Sequence, residues 1–229
     1  MFKQLLALFQ KKKPDNKPTQ KKSAKPTQCK KIESTRIGEL GEYKINIQLD
    51  QLPKECKYLS DLLLPNPKAR SGYSQVDHLV ISPYGIFVIE TKNYNGEIKG
   101  TRSDRYWSVS RRFKMYNPLM QNYGHIKAIE AQLPDRKDIK FISMISFTMR
   151  CRFSIDPELR KIHSDELIVY DVELSEFIHR KITRLAAEQP APSLTEADIQ
   201  RFFDQISSAN ITDPKLRAEH IEKVKQPKA

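Results

Sequence analysis

Two strand-like runs carry charges for which an apolar hairpin has no packing use. They are Val76-Asp77-His78-Leu79-Val80-Ile81-Ser82 and Ile86-Phe87-Val88-Ile89-Glu90-Thr91-Lys92, joined by Pro83-Tyr84-Gly85. Burying a lone carboxylate or ammonium is costly, so Asp77, Glu90 and Lys92 must be paired, metal-bound or at a sheet edge. Glu90 and Lys92 are two residues apart and share a face of any strand. A two-residue loop Tyr84-Gly85 pairs Asp77 with Lys92 and Leu79 with Glu90, so all three charges meet on one face; a slip by one residue would separate Asp77 from the others. Two carboxylates at adjacent strand ends can hold a hard divalent cation, Mg²⁺ first and Mn²⁺ as a substitute, whose remaining shell is water and substrate phosphate. Such an ion polarises a phosphoryl oxygen and lowers the pKa of a bound water. A compact ammonium such as Lys92 suits the task of positioning hydroxide or offsetting transition-state charge. The bland alternative is a Glu-Lys ion pair on a solvated strand, since short motifs match by chance.

The flanking residues decide between these readings. Gln75-Val76-Asp77-His78, then Gly85-Ile86-Phe87-Val88-Ile89-Glu90-Thr91-Lys92-Asn93-Tyr94 with Gly96, resembles the nuclease-related domain (NERD) family. Gly38, Gly41 and Glu42 lie upstream in the same order, and Trp107, Asn117-Pro118, Gln121 and His125 downstream. The resemblance covers about residues 36 to 135 and extends to the PD-(D/E)xK phosphodiesterase superfamily, with Val76 standing where that label has Pro. It implies an α/β domain with a mixed central sheet flanked by helices, a restriction-endonuclease-like core. It also implies metal-dependent hydrolysis of nucleic acid, DNA ahead of RNA, and a possible homodimer. By the same resemblance Asp77 and Glu90 are the metal ligands and Lys92 the superfamily lysine. Glu42 is the acidic residue of the N-terminal helix, and Gln121 the helix glutamine near the site.

Other basic residues stand where a nucleic acid could meet them: Lys68 and Arg70 before the site strand, Arg111, Arg112 and Lys114 around Phe113, and Arg150 and Arg152 after a later strand. Each is equally explained as loop solvation. Trp107 is a base-stacking candidate, but a core position suits it better.

The net charge of +12 is uneven. Residues 1–36 hold 11 Lys/Arg against two Asp/Glu, residues 213–229 five against three, and residues 37–212 are nearly neutral. Any nucleic-acid surface on the folded part must therefore be local. Residues 1–36 read as a basic, Lys/Pro/Gln-rich disordered tail, in which residues 11–31 hold too few apolar side chains to order themselves. That arm is attracted to nucleic acid or an anionic membrane, or is a plain linker. Residues 37–212 read as one domain and 213–229 as a charged tail. Three dispersed cysteines, Cys29, Cys56 and Cys151, make neither a disulfide framework nor a zinc motif. A reducing, cytoplasmic setting follows. His78 and His125 read as hydrogen-bonded core histidines.

The positioning elements are legible from periodicity. An amphipathic helix starts at Ile37 and ends near Pro53, a strand runs from Lys57 to Leu64, and a hairpin from Glu97 to Ser110. A helix from Asn117 to about Leu133 follows, then strands over 139–148 and 167–170, and helices over 174–187 and 194–206. Two further functions remain open from sequence: a non-catalytic nucleic-acid-binding module, and a membrane-surface or protein-interaction role for residues 1–31.

Overall fold

The computed structural model describes residues 43–133, 139–189 and 191–225. The N-terminal arm and Glu42 lie outside them. Residues 43–49 are helical (α1). Strands β1 (Lys57–Pro65), β2 (Tyr73–Ser82) and β3 (Gly85–Lys92) follow. Then come β4 (Gly96–Gly100), β5 (Tyr106–Val109), β6 (Phe113–Tyr116) and helix α2 (Pro118–Gln132). Strands β7 (Phe141–Phe147), β8 (Cys151–Ile155) and β9 (Glu166–Tyr170) alternate with loops. Helices α3 (Leu174–Glu188), α4 (Glu196–Ala209) and α5 (Pro214–Lys225) complete the chain.

The architecture is mixed α/β with two mixed sheets. The larger runs β1-β2-β3-β7-β9, antiparallel through β3 and parallel from β3 to β9. Strand β3 is central and buried on both faces from Gly85 to Glu90, as the unbroken Ile-Phe-Val-Ile run requires. One face packs under α2 and α4, with Leu79, Ile81 and Val88 against Ile126, Ile129 and Phe202. The other packs under α1 and α3, with Val80, Phe87 and Ile89 against Ile45, Leu49 and Ile178.

The smaller sheet, β6-β5-β4-β8, goes beyond the single sheet expected. Trp107 is fully buried beneath it, donating its indole N–H to Thr101 O at 2.9 Å, so it is a core residue and not a base-stacking one. Its ring lies where a side chain on residue 100 would be, since a Cβ there would come within 2.3 Å of the indole. Only glycine fits at Gly100.

Helix α2 is fixed at its start by Asn117, which is fully buried. Its carbonyl accepts from Leu119 N (2.9 Å), and its amide donates to the backbone carbonyls of Arg102 (3.1 Å) and Asp104 (2.7 Å). One side chain thus caps the helix and clasps a loop. Asn117→Ala should cost about 2 kcal/mol, an N-cap plus buried carbonyls left unpaired; chemical denaturation would measure it.

Candidate active site

The β2–β3 ladder pairs Ser82 with Gly85, Ile81 with Ile86 and His78 with Ile89. The loop is therefore Pro83-Tyr84, and the expected register is corrected by two residues. A side chain at Gly85 would come within 2.7 Å of the Lys140 carbonyl, and Ser82 Oγ closes the turn onto Gly85 O at 2.8 Å. Sliding by an even number leaves every side chain on its face. Asp77 therefore still shares a face with Glu90 and Lys92, now nearer Glu90 than Lys92 along the ladder.

Asp77 stands just past the end of the ladder. Its Oδ2 accepts from both Thr91 N and Thr91 Oγ1, each at 2.7 Å, so the carboxylate takes the place of a strand partner. Oδ1 has no hydrogen-bond partner among the described residues. Glu90 is 4% exposed. Its Oε1 accepts from Lys92 Nζ (2.5 Å) and Gln121 Nε2 (2.8 Å), and Gln121 Oε1 accepts from Lys92 Nζ at 2.9 Å. Glu90, Lys92 and Gln121 thus form a closed ring. His125, one turn after Gln121 on α2, brings Nε2 to 3.2 Å from Glu90 Oε2, off the line of a hydrogen bond. Asn122, between them and facing the core, donates to Val88 O and Ser143 Oγ, each at 2.8 Å. That holds α2 against β3 and β7.

The two carboxylates are driven apart. Burial and the Glu90 charge push Asp77 up to about 6 against the pull of Thr91 and Lys92. For Glu90, burial acts upward, but the His125 imidazole and the Lys92 ammonium outweigh it and hold the carboxyl below its ordinary value. A polarised carboxylate pair of this kind in a cleft is what acid-base and metal chemistry require. The residues fit a hard cation, for which one or two carboxylates suffice. Asp77 Oδ1 and the Glu90 carboxylate are the oxygens that would hold it. Among the described residues no cluster of three or more His, Cys, Asp or Glu takes metal-binding geometry.

A cleft of about 380 Å³ opens over Asp77, Glu90, Gln121 and His125, walled by Arg70, Ser71, Tyr73, His220 and Lys223. Arg70, from the loop before β2, lines this cleft. Lys68, in the same loop, is not part of the wall. Arg111, Arg150 and Arg152 meet instead at a second cleft beside Gly96 and Glu97, and Arg112 and Lys114 line neither. His78 points to the opposite sheet face. Ser60 Oγ donates to Asn46 Oδ1 and meets His78 Nδ1, each at 2.9 Å. Burial pushes the His78 imidazole down to about 4. It is a neutral core histidine, as the sequence suggests.

Helix α5 was not foreseen; residues 213–229 read as a tail. Asp213 caps it by accepting from Lys215 N at 2.8 Å, ahead of Pro214 in the first turn. Arg217 Nη1 reaches Asp61 Oδ2 at 2.7 Å, and the buried His220 Nδ1 meets Ser71 Oγ at 2.9 Å. The Asp-Pro start was the available signal. His125 was seen but not assigned to the site; its spacing of four from Gln121 was the clue. His220→Ala should loosen this wall, measured as faster amide exchange in α5 with little change in global stability.

Residues 37–148 match the family model for the nuclease-related domain, NERD. An uncharacterized protein of Bacillus anthracis is 28% identical over 190 residues, covering 80% of this chain and 82% of that protein. A solved structure of SfsA from Pyrococcus furiosus in complex with Ca²⁺ is 18% identical with a TM-score of 0.24, covering 65% of this chain and 53% of SfsA. The segment holding Asp77, Glu90, Lys92, Gln121 and His125 belongs to the nuclease-related domain family.

Proposed function

We propose that this protein is a metal-dependent nuclease that hydrolyses phosphodiester bonds, with DNA the favoured substrate. The observation that carries the reading is the placement of Asp77, Glu90 and Gln121 at the floor of an open, cation-rimmed cleft, with Lys92 bonded to Glu90 and Gln121 beside them. Buried charges in a merely structural role would be paired and closed off. Here Asp77 lines the cleft with Oδ1 unbonded among the described residues, beside a second carboxylate.

Asp77 and Glu90 would hold Mg²⁺, or Mn²⁺ in its stead. When bound, the ion supplies Lewis-acid polarisation of the phosphoryl oxygen and a more acidic water. Thr91 fixes the Asp77 carboxylate through Oδ2, so that only Oδ1 faces the ligand. Lys92 Nζ, held by Gln121 Oε1, orients the attacking water and offsets charge that develops on the phosphoryl oxygens. Gln121 fixes both Lys92 and Glu90 from α2. Arg70 and Lys223 at the wall contact the phosphates on either side of the scissile bond.

Incubating the full chain with supercoiled plasmid and labelled single-stranded DNA, in Mg²⁺, Mn²⁺ or EDTA, tests this reading. Metal-dependent nicking by wild type that vanishes in Asp77→Ala is the expected result. A folded wild type that cuts neither substrate with either metal would replace the nuclease by a non-catalytic binding module.

A further inference from the structure

The smaller sheet has a second face, and its residues are of one chemical kind. Along β4, β5, β6 and β8 burial alternates: Ile98, Trp107, Val109, Met115 and Cys151 point into the core, while Lys99, Tyr106, Lys114, Tyr116, Arg152 and Ser154 point out. Cross-strand register aligns the outward residues in rows. Lys114 lies opposite Ser108, Ser108 opposite Lys99 and Lys99 opposite Ser154, a single row spanning all four strands. The adjacent row on the hairpin is Tyr106 opposite Tyr116, packed edge to face at 6.0 Å, with the Arg105 guanidinium 5.6 Å from the Tyr106 ring. At the other end Arg152 lies opposite Glu97, the one acid on this face, beside the cleft shared by Arg111 and Arg150.

None of Lys99, Lys114 and Arg152 has an ion-pair partner among the described residues, and Tyr106 is 48% exposed. Sheet strands lie about 4.8 Å apart, so the two lysine stems stand about 10 Å from each other with only a serine between them. Cations in one row, aromatic rings in the next and small hydroxyls between them fit a polyanion with flat faces to stack. An acidic peptide uses the charges but leaves the rings idle.

The geometry points to this sheet face as a platform for single-stranded nucleic acid, with bases on Tyr106 and Tyr116 and phosphates along Lys99, Lys114 and Arg152. A duplex hides its base faces by stacking and leaves the tyrosines without a role, whereas a single strand offers both faces and backbone. The platform deepens the nuclease reading by naming its substrate class, and so rests on that reading for its purpose. The two sites are joined through the backbone: Thr148 N donates to Lys92 O at 3.1 Å, and Asn95, on the second cleft, is three residues past Lys92. Three extended residues span about 10 Å, so the second cleft, at the edge of the platform, begins within about that distance of Lys92.

Binding is measured apart from cleavage by fluorescence anisotropy on full-length Asp77→Ala in EDTA. The probes are labelled oligothymidine and oligouridine of about 20 nucleotides, longer than the ~4–16 that one such sheet domain covers, and a duplex of equal length. The oligomers should bind at least about tenfold tighter than the duplex, and their ratio tells DNA from RNA. Adding Lys99→Glu and Lys114→Glu should weaken oligomer binding at least about tenfold and flatten the salt slope by about 1.4, ~0.7 for each phosphate no longer neutralised. Tyr106→Ala should weaken it about fivefold or more with the salt slope unchanged, the signature of stacking. These positions are exposed, so melting curves should match the parent. Equal affinity for duplex, no binding to any probe, or binding indifferent to these substitutions (as the basic arm alone would give) overturns the platform. Failure of cleavage with these results intact would overturn the nuclease and leave the platform standing.

Discussion

Asp77→Asn should abolish metal-dependent cleavage, by roughly a thousandfold or more, and at the same time make the metal-free protein more stable near neutral pH. The activity loss is the several kcal/mol that metal-centred charge stabilisation supplies. The stability gain follows from the same geometry. In the fold the Asp77 carboxyl is raised to about 6 by burial and by Glu90, whereas an unfolded aspartate titrates near 3.9. A raised folded-state value means the native protein holds the proton more tightly, so stability is full below about pH 4 and declines as pH rises through about 6. By neutral pH the decline is on the order of 2–3 kcal/mol. Asparagine keeps an oxygen for Thr91 and carries no charge, so the variant should lose this part of the pH dependence and melt ~4–8 °C higher in EDTA. Glu90, whose value is depressed, gives the opposite slope at lower pH in both proteins. Thermal melts from about pH 4 to 8, with and without Mg²⁺, check both halves; Mg²⁺ should raise the wild-type midpoint and leave the variant's where it is. A variant no more stable than wild type in EDTA would mean that Asp77 is not under electrostatic strain.

Lys92→Met should separate binding from chemistry. Methionine keeps most of the buried stem, but the ring of Glu90, Lys92 and Gln121 loses its cation. Leaving a carboxylate that is 4% exposed without its ammonium should cost about 3 kcal/mol in the metal-free protein, and a divalent cation should restore much of it by taking the ammonium's place. Cleavage should still fall by about 10²–10³, because the donor aimed at developing negative charge is gone. Calorimetric titration of Mg²⁺ beside a cleavage assay reads the two effects separately. Metal binding equal to or tighter than wild type with lost cleavage is the expected pattern. Cleavage at the wild-type rate would remove Lys92 from the mechanism.

How much of this was legible in the sequence differs from element to element for physical reasons. The β2–β3 hairpin announced itself because each apolar run is long and its charges fall at even spacing. The face assignment survived even though the turn was placed one residue late, since that slides the register by two and an even slide does not exchange faces. The α2 helix was legible from Asn117-Pro118 and from Leu119, Ile126 and Ile129. Strands β6 and β8 were not. Each has four or five residues whose outward half is Lys114, Tyr116, Arg152 and Ser154, and so few apolar positions give no readable period. Helix α5 hid behind its own charge. Only His220 on it is buried, so composition outweighed the Asp213-Pro214 start. In the site, the strand residues could be placed from spacing alone. That His125 joins them depends on how α2 lies across β3, which is set by Asn122 and its two buried bonds and not by any local pattern.

The hydrogen bond between Ser71 and His220 closes a loop of 149 residues, and this has a consequence for synthesis. The ribosome makes Asp77, Glu90, Lys92 and Gln121 well before α5. At ~5–20 residues per second, the roughly 100 residues between Gln121 and His220 take about 5–20 s. For that interval the nascent chain holds every residue assigned here to catalysis, while one wall of its cleft does not yet exist. A hairpin with local contacts forms within microseconds, and β7, which seats α2 through Ser143, also precedes α5 in the chain, so the floor can close before its wall. The protein is thus built in the order floor then wall, and the final step waits on translation.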